Sequence, residues 1–171
     1  MKSLKIFLAA LAAIMLSGCS ILSSGLSKEP DPSAQELVIA ALDEEMLKFE
    51  VDYIIPDRGA SRPSNYGYFL TIKDGKVSSY LPFFGVSYQS SPYGTEPSGI
   101  EFDNCPVNID KSLSRPEKGK YVWRFVALSG RERVDVTLTF FDNGSASLSC
   151  HPANRSNMNY NGELVSIPET E

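Results

Sequence analysis

The chain has 171 residues, with 16 Lys and Arg against 21 Asp and Glu, a formal charge of −5, 42% hydrophobic residues and one histidine. An acidic chain has no electrostatic reason to bind nucleic acid. One histidine beside three cysteines also falls short of the convergent ligand set that a metal centre needs.

The first predicted element is an export signal. Lys2 and Lys5 precede an unbroken apolar run from Ile6 to Leu16. As a helix that run spans ~16 Å, about half of a hydrocarbon core, so it reads as a signal-peptide core and not as a membrane span. It ends in Leu16-Ser17-Gly18-Cys19, which resembles the lipobox of bacterial lipoproteins. That resemblance implies cleavage before Cys19 and acylation of its sulfur and its new amino group. The alternative is an ordinary secretory signal cut near Gly18. Two or more acyl chains anchor stably where one would be marginal. Residues 1–18 are thus expected to be a leader, and residues 19–32, rich in Ser, Gly and Pro, a lipidated cysteine and flexible tether. Residues 33–171 are expected to be one domain with a single core. Loss of Lys2 and Lys5 leaves 14 basic against 21 acidic residues, or −7. The anchor, not surface charge, would then hold the protein at the cell envelope, on the outer membrane.

Ser33-Ala34-Gln35-Glu36 matches a capping box, and behind it Val38, Leu42 and Met46 recur at helical spacing with Ala41 and Phe49 beside them. This predicts one short amphipathic helix packed on the domain. From residue 47 the period becomes two: Phe49, Val51, Tyr53 and Ile55 alternate with Lys48, Glu50 and Asp52, as in a half-buried strand. "PDRGASRPSN" follows as a polar loop.

Three hairpins then carry register information. An Asp74-Gly75 two-residue turn sets Ile72 against Val77 and Tyr68 against Leu81. A Gly130-Arg131 turn opposes Ala127 to Val134, Phe125 to Val136 and Trp123 to Leu138, leaving Arg124 on the outer face. At Asp142-Asn143-Gly144 a two-residue turn would set Phe140 and Leu138 against Ser147 and Ser149. A three-residue loop with Gly144 left-handed instead pairs Phe140 with Ala146, Leu138 with Leu148 and Val136 with Cys150. Because a one-residue slip turns every side chain over, the bulged loop is the expected one. Short strands near 99–103 and 158–165 bring the total to about eight. One helix cannot cover so wide a sheet, so the fold class is mainly β, an antiparallel sheet curled into a barrel-like or sandwich form.

Reactive constellations are missing from the pattern. His151 stands beside Pro152 at a strand end, with no G-x-S-x-G elbow and no phosphate-cradling glycine motif anywhere. No catalytic residue, cofactor or metal is expected. Cys105 and Cys150 leave two arrangements open. An exported chain permits a disulfide, which would stabilise by roughly 4 kcal/mol in the chain-entropy model. Two unbonded small hydrophobes fit equally well.

The most distinctive stretch is "SYLPFFGVSYQSSPYGTEPSGIEF", residues 79–102, in which Pro82 ends a strand and a long connection precedes Ile100. Tyr80, Phe83, Phe84, Tyr88 and Tyr93 are the candidate ligand-binding residues, lining the mouth of the curled sheet. The competing reading has Phe83 and Phe84 fold back and close the open end of the core. Together with "DNGSASLSC" and "NYNGEL", this stretch resembles the Bacteroidetes lipoprotein family catalogued as domain of unknown function 4251. In that family Tyr is usual at the place of Phe83 and a basic residue at that of Val86, so both departures remove polarity here. The resemblance implies an exported, lipid-anchored, β-rich domain without an assigned activity. The expected function is non-catalytic: a membrane-anchored domain that binds a protein partner or serves as an accessory subunit. The alternative is a carrier of a small apolar molecule inside the curled sheet.

Overall fold

The computed structural model describes residues 32–88 and 99–167; Cys19, the tether and Tyr93 lie outside them. A helix, α1 (Pro32–Glu44), precedes nine strands: β1 (Leu47–Pro56), β2 (Arg62–Pro63), β3 (Phe69–Lys73), β4 (Lys76–Pro82), β5 (Gly99–Pro106), β6 (Lys120–Ser129), β7 (Glu132–Phe141), β8 (Ser145–Pro152) and β9 (Met158–Val165). They form one antiparallel sheet in the order β5-β4-β3-β1-β9-β8-β7-β6, with β2 paired to β1 off that path. The two ends of this order meet. The Glu101 N–H of β5 donates to Ser129 Oγ at 3.1 Å, and the Cys105 thiol donates to the Leu128 carbonyl at 3.5 Å. The sheet is therefore a nearly closed barrel, joined at its seam by these side-chain bonds and by one backbone pair, Asp110 with Arg124, and not by a full ladder.

Apolar-to-apolar pairing sets the registers. Asp74 and Gly75, at φ 53° and 67°, make the two-residue turn that places Ile72 opposite Val77; two positive φ values are what a tight hairpin of this twist requires. The Gly130-Arg131 turn opposes Trp123 to Leu138 and Phe125 to Val136. The third hairpin takes the longer loop: Phe140 faces Ala146, Leu138 faces Leu148, and Gly144 has φ 76°. Alternation then sends Trp123, Phe140, Leu138, Leu148 and Tyr160 inward to meet Phe49, Leu70 and Ile72, all of them fully buried. Val38 and Ala41 of α1 are buried with this core.

Three expectations are corrected. The helix begins at Pro32, so Ser33 lies inside its first turn and not at a cap; the fixed φ of proline suits that turn. Glu45, left-handed at φ 52°, ends the helix, so Met46 lies beyond it and Phe49 belongs to β1. Second, the simple alternation of β1 breaks. The register against β9 shifts between Val51 and Tyr53, a bulge that turns Tyr53 outward and Ile54 inward. Gly162 lies opposite Val51, and a Cβ there would overlap the Glu50 carbonyl oxygen. Third, the polar loop after β1 contains β2, whose Arg62 and Pro63 pair with Ile54 and Tyr53. Pro63 is tolerated because β2 is an edge.

Candidate functional site

The aromatic connection after β4 is held from several sides. The Pro82 carbonyl accepts the buried Tyr160 hydroxyl at 2.7 Å. Phe83 packs against the core, and the Arg155 guanidinium sits 4.6 Å from its ring centroid. Residues 86–88 then run antiparallel to 154–156. The Val86 N–H donates to Ser156 Oγ at 3.0 Å, the Ser156 N–H to the Val86 carbonyl at 2.9 Å, and the Tyr88 N–H to the Asn154 carbonyl at 2.9 Å.

Arg155 is the centre of this arrangement. Its side chain is only 3% exposed; Nε donates to Glu132 Oε2 at 2.7 Å, and Nη1 donates to the Gly99 carbonyl at 3.0 Å. The other Glu132 oxygen accepts the Asn154 N–H at 2.8 Å. One buried cation thus ties Phe83, at the start of the connection, and Gly99, at its end, to the first residue of β7. The Nη2 group is buried without a hydrogen-bond partner among the described residues. Burial pushes the Cys150 thiol up to about 12, while the charge of Arg155 pulls the other way. Burial, followed by the charge of Cys150, likewise raises the Tyr160 hydroxyl well above its ordinary range. Both groups are therefore protonated at neutral pH, and Cys150 is a core residue and not a nucleophile.

Tyr80 belongs to a different surface. It projects from the outer face of β4, 52% exposed, with the Tyr68 ring 5.6 Å away and Tyr66, itself 74% exposed, 5.8 Å beyond Tyr68. Phe69 lies opposite Tyr80 on β3, with the Lys48 ammonium 5.7 Å from its ring. Phe84 is exposed, and its ring carries the Arg62 guanidinium at 4.3 Å. The structure thus divides the sequence-predicted set: Phe83 closes the core, Phe84 pairs with Arg62, Tyr80 joins an outer tyrosine cluster, and Tyr88 is exposed beside Asn154. Arg155, Glu132, Tyr66 and Tyr68 were missed from sequence. The "NYGYF" stretch carried the only local signal for the two tyrosines.

Cys105 and Cys150 are free thiols in the structure, the first half-buried on β5 and the second fully buried on β8. His151 is exposed at the end of β8, opposite Asp135. Among the described residues, no three His, Cys, Asp or Glu side chains gather as a metal ion would require. No helix among them is long and apolar enough to cross a membrane.

The profile of the family described as Domain of unknown function (DUF4251) matches residues 31–164. The chain belongs to the DUF4251 family. Its fold is similar to the crystal structure of a DUF4251 family protein from Bacteroides eggerthii, with a TM-score of 0.52 and 15% identity over 77% of this chain and 87% of that one. At that identity the likeness concerns the fold. No curated protein matches the chain.

Proposed function

We propose that this DUF4251 protein is a non-catalytic binding domain of the cell envelope, held at the outer membrane by a lipid on Cys19, whose partner protein docks on the outer tyrosine face. The observation that carries the reading is the cluster of Tyr66, Tyr68 and Tyr80, of which Tyr66 and Tyr80 stay largely exposed. Scattered exposed aromatics are ordinary, but contiguous ones mark interaction surfaces. Tyrosine offers a large, rigid contact with a polar tip at little entropic cost.

The anchor is tested by replacing Cys19 with Ser and fractionating cells: the protein should leave the membrane fraction, and retention there rejects the lipid. The face is tested by placing a photo-crosslinking residue at position 66, 80 or 151 in living cells. A discrete protein adduct from 66 and 80, absent from 151, is expected. Monomer and lipid alone would reject the partner. The carrier reading receives less support, because the inward positions are filled by Trp123, Tyr160, Phe49 and Phe140. Native mass spectrometry of protein purified from its host would restore it by finding a bound apolar mass.

A further inference from the structure

The registers on the outer face bring together residues that lie far apart in the chain. Glu50 of β1 faces Phe69 of β3, Phe69 faces Tyr80 of β4, and Tyr80 faces Glu101 of β5. Parity turns all four side chains outward, because their neighbours Phe49, Leu70, Leu81 and Ile100 are buried in the core. One row across four strands thus reads carboxylate, ring, ring, carboxylate. Neither Glu50 nor Glu101 has an ion-pair partner among the described residues. Glu163 of β9, which has an interaction of its own, stands opposite Glu50 and extends the row. Beside the row stand Lys48 and Asp52 on β1 and Asp103 on β5, while Thr71 and Ser78 on the strands between are neutral.

Other rings of the molecule show what such a row accepts. Arg155 lies over Phe83 at 4.6 Å, Arg62 over Phe84 at 4.3 Å, and Lys48 over Phe69 at 5.7 Å. Lys48 therefore occupies the first ring of the row. The second ring, Tyr80, is exposed, carries no cation among the described residues, and stands beside Glu101. The quadrupole of a ring attracts a cation over its face, and a carboxylate adds a charge-assisted hydrogen bond. Adjacent strands lie ~4.8 Å apart, so a guanidinium stacked on Tyr80 is within reach of the Glu101 carboxylate.

We infer that Tyr80 and Glu101 form a receptor for a basic side chain, an arginine presented by the partner protein that docks on the tyrosine face. The inference rests on that docking and names what the partner must bring to it. A partner that covers Tyr80 also covers Glu101 one strand away, and a carboxylate taken out of water is costly unless a cation meets it. The face holds more carboxylate than ammonium, and its one ammonium is already placed over Phe69, so the complementary surface is positive. Arginine suits the pair better than lysine, because its planar guanidinium can stack on a ring while bonding a carboxylate.

The test pans a phage-displayed random heptapeptide library on the full chain in detergent. Recovered sequences are made as synthetic peptides with each arginine kept, changed to lysine, or changed to citrulline, its uncharged isostere. Arginine peptides should bind wild type and lose about fivefold in affinity on Tyr80→Leu and about threefold on Glu101→Gln. Both substitutions lie at exposed outer positions, so the fold is retained. Glu117→Gln makes the same charge change in the short turn before β6 and should leave binding unaltered. Citrulline peptides should fall to background. Peptides that need Tyr80 yet bind equally well with citrulline would overturn the cation site while leaving the docking face in place. Equal losses on Glu117→Gln and Glu101→Gln would overturn it as a general attraction to an acidic chain. Indifference to Tyr80→Leu would overturn it outright. A dimer, or binding to phosphatidylcholine vesicles, that is lost on Tyr80→Leu without any peptide binding would overturn it by seating a second copy or a lipid headgroup there. Photo-crosslinking at 66 and 80 tests the docking face separately, because it reads contact whatever the partner's charge.

Discussion

Two arginine–carboxylate pairs stand at nearly equal distances in this molecule, 2.7 Å for Arg155 with Glu132 and 2.6 Å for Arg124 with Asp110. Their side chains are 3% and 12% exposed in the first pair, and 45% and 47% in the second. Distance therefore says little about what each pair does. Water screens the outer pair, and losing one partner leaves the other solvated. The inner pair cannot be broken so lightly, because a lone guanidinium would stay buried. The inner pair positions the aromatic connection, whereas the outer pair borders a groove and remains open to exchange.

The largest expected effect comes from breaking the inner pair on one side. Glu132→Ala should destabilise the fold by about 3–5 kcal/mol, since it strands the charge of Arg155. Chemical denaturation measures this directly. Glu132→Leu combined with Arg155→Met should recover most of the loss, because a buried pair replaced by apolar groups of similar volume is often neutral. A double variant as unstable as Glu132→Ala would mean that the Gly99 and Asn154 contacts, not charge burial, set the cost.

Next in size is the ring under the guanidinium. Phe83→Leu keeps apolar volume but removes the π face, and should cost about 0.5–2 kcal/mol, the range of a cation–π contact from exposed to desolvated. The equivalent change at Phe84, beneath the solvated Arg62, should fall at the bottom of that range. Equal losses at the two positions would contradict the contrast in burial. A related readout is chemical: native protein should be alkylated at Cys105 and spared at Cys150, whose thiol is held up near 12 by burial. Both should react after denaturation, and peptide mass mapping separates them.

Much of the fold, and less of the site, could be read from residues alone. Hairpin registers were legible because apolar residues match across each turn, and at the third hairpin the wrong choice would have set Phe140 and Leu138 against serine, a local conflict visible within twenty residues. The bulge in β1 was not, since it depends on Gly162 reaching Val51 from the far end of the chain. Arg155 was missed for the same reason. Its partners Glu132, Gly99 and Phe83 are 23, 56 and 72 positions away, and nothing near "NRS" distinguishes a buried arginine from a solvated one. The split of the aromatic set followed from strand parity. Tyr80 and Leu81 are adjacent, so one had to face outward, and residues after Pro82 leave the ladder and lose that constraint.

The smallest effect sharpens the comparison most. Asp110 is held down to about 2, chiefly by hydrogen bonds from the Ser112 hydroxyl and N–H and only then by Arg124. The salt bridge that looks dominant by distance is thus the lesser influence on its own carboxylate. Ser112→Ala removes the hydroxyl and keeps the N–H, and should raise the Asp110 midpoint toward its ordinary value, as read from the side-chain carboxyl carbon in an NMR titration. An unchanged midpoint would mean that the hydroxyl does not hold the carboxylate. The sign of the stability change follows from the same shift. The folded carboxyl ionises at lower pH than the ordinary 3.8, so its contribution is complete above that value and is lost as pH falls toward 2. At neutral pH Asp110 is consequently always charged, and its acid-limb contribution should vanish in Asp110→Asn. The Glu132–Arg155 pair should show the opposite salt response: its contribution should persist in high salt, where that of Arg124 and Asp110 fades.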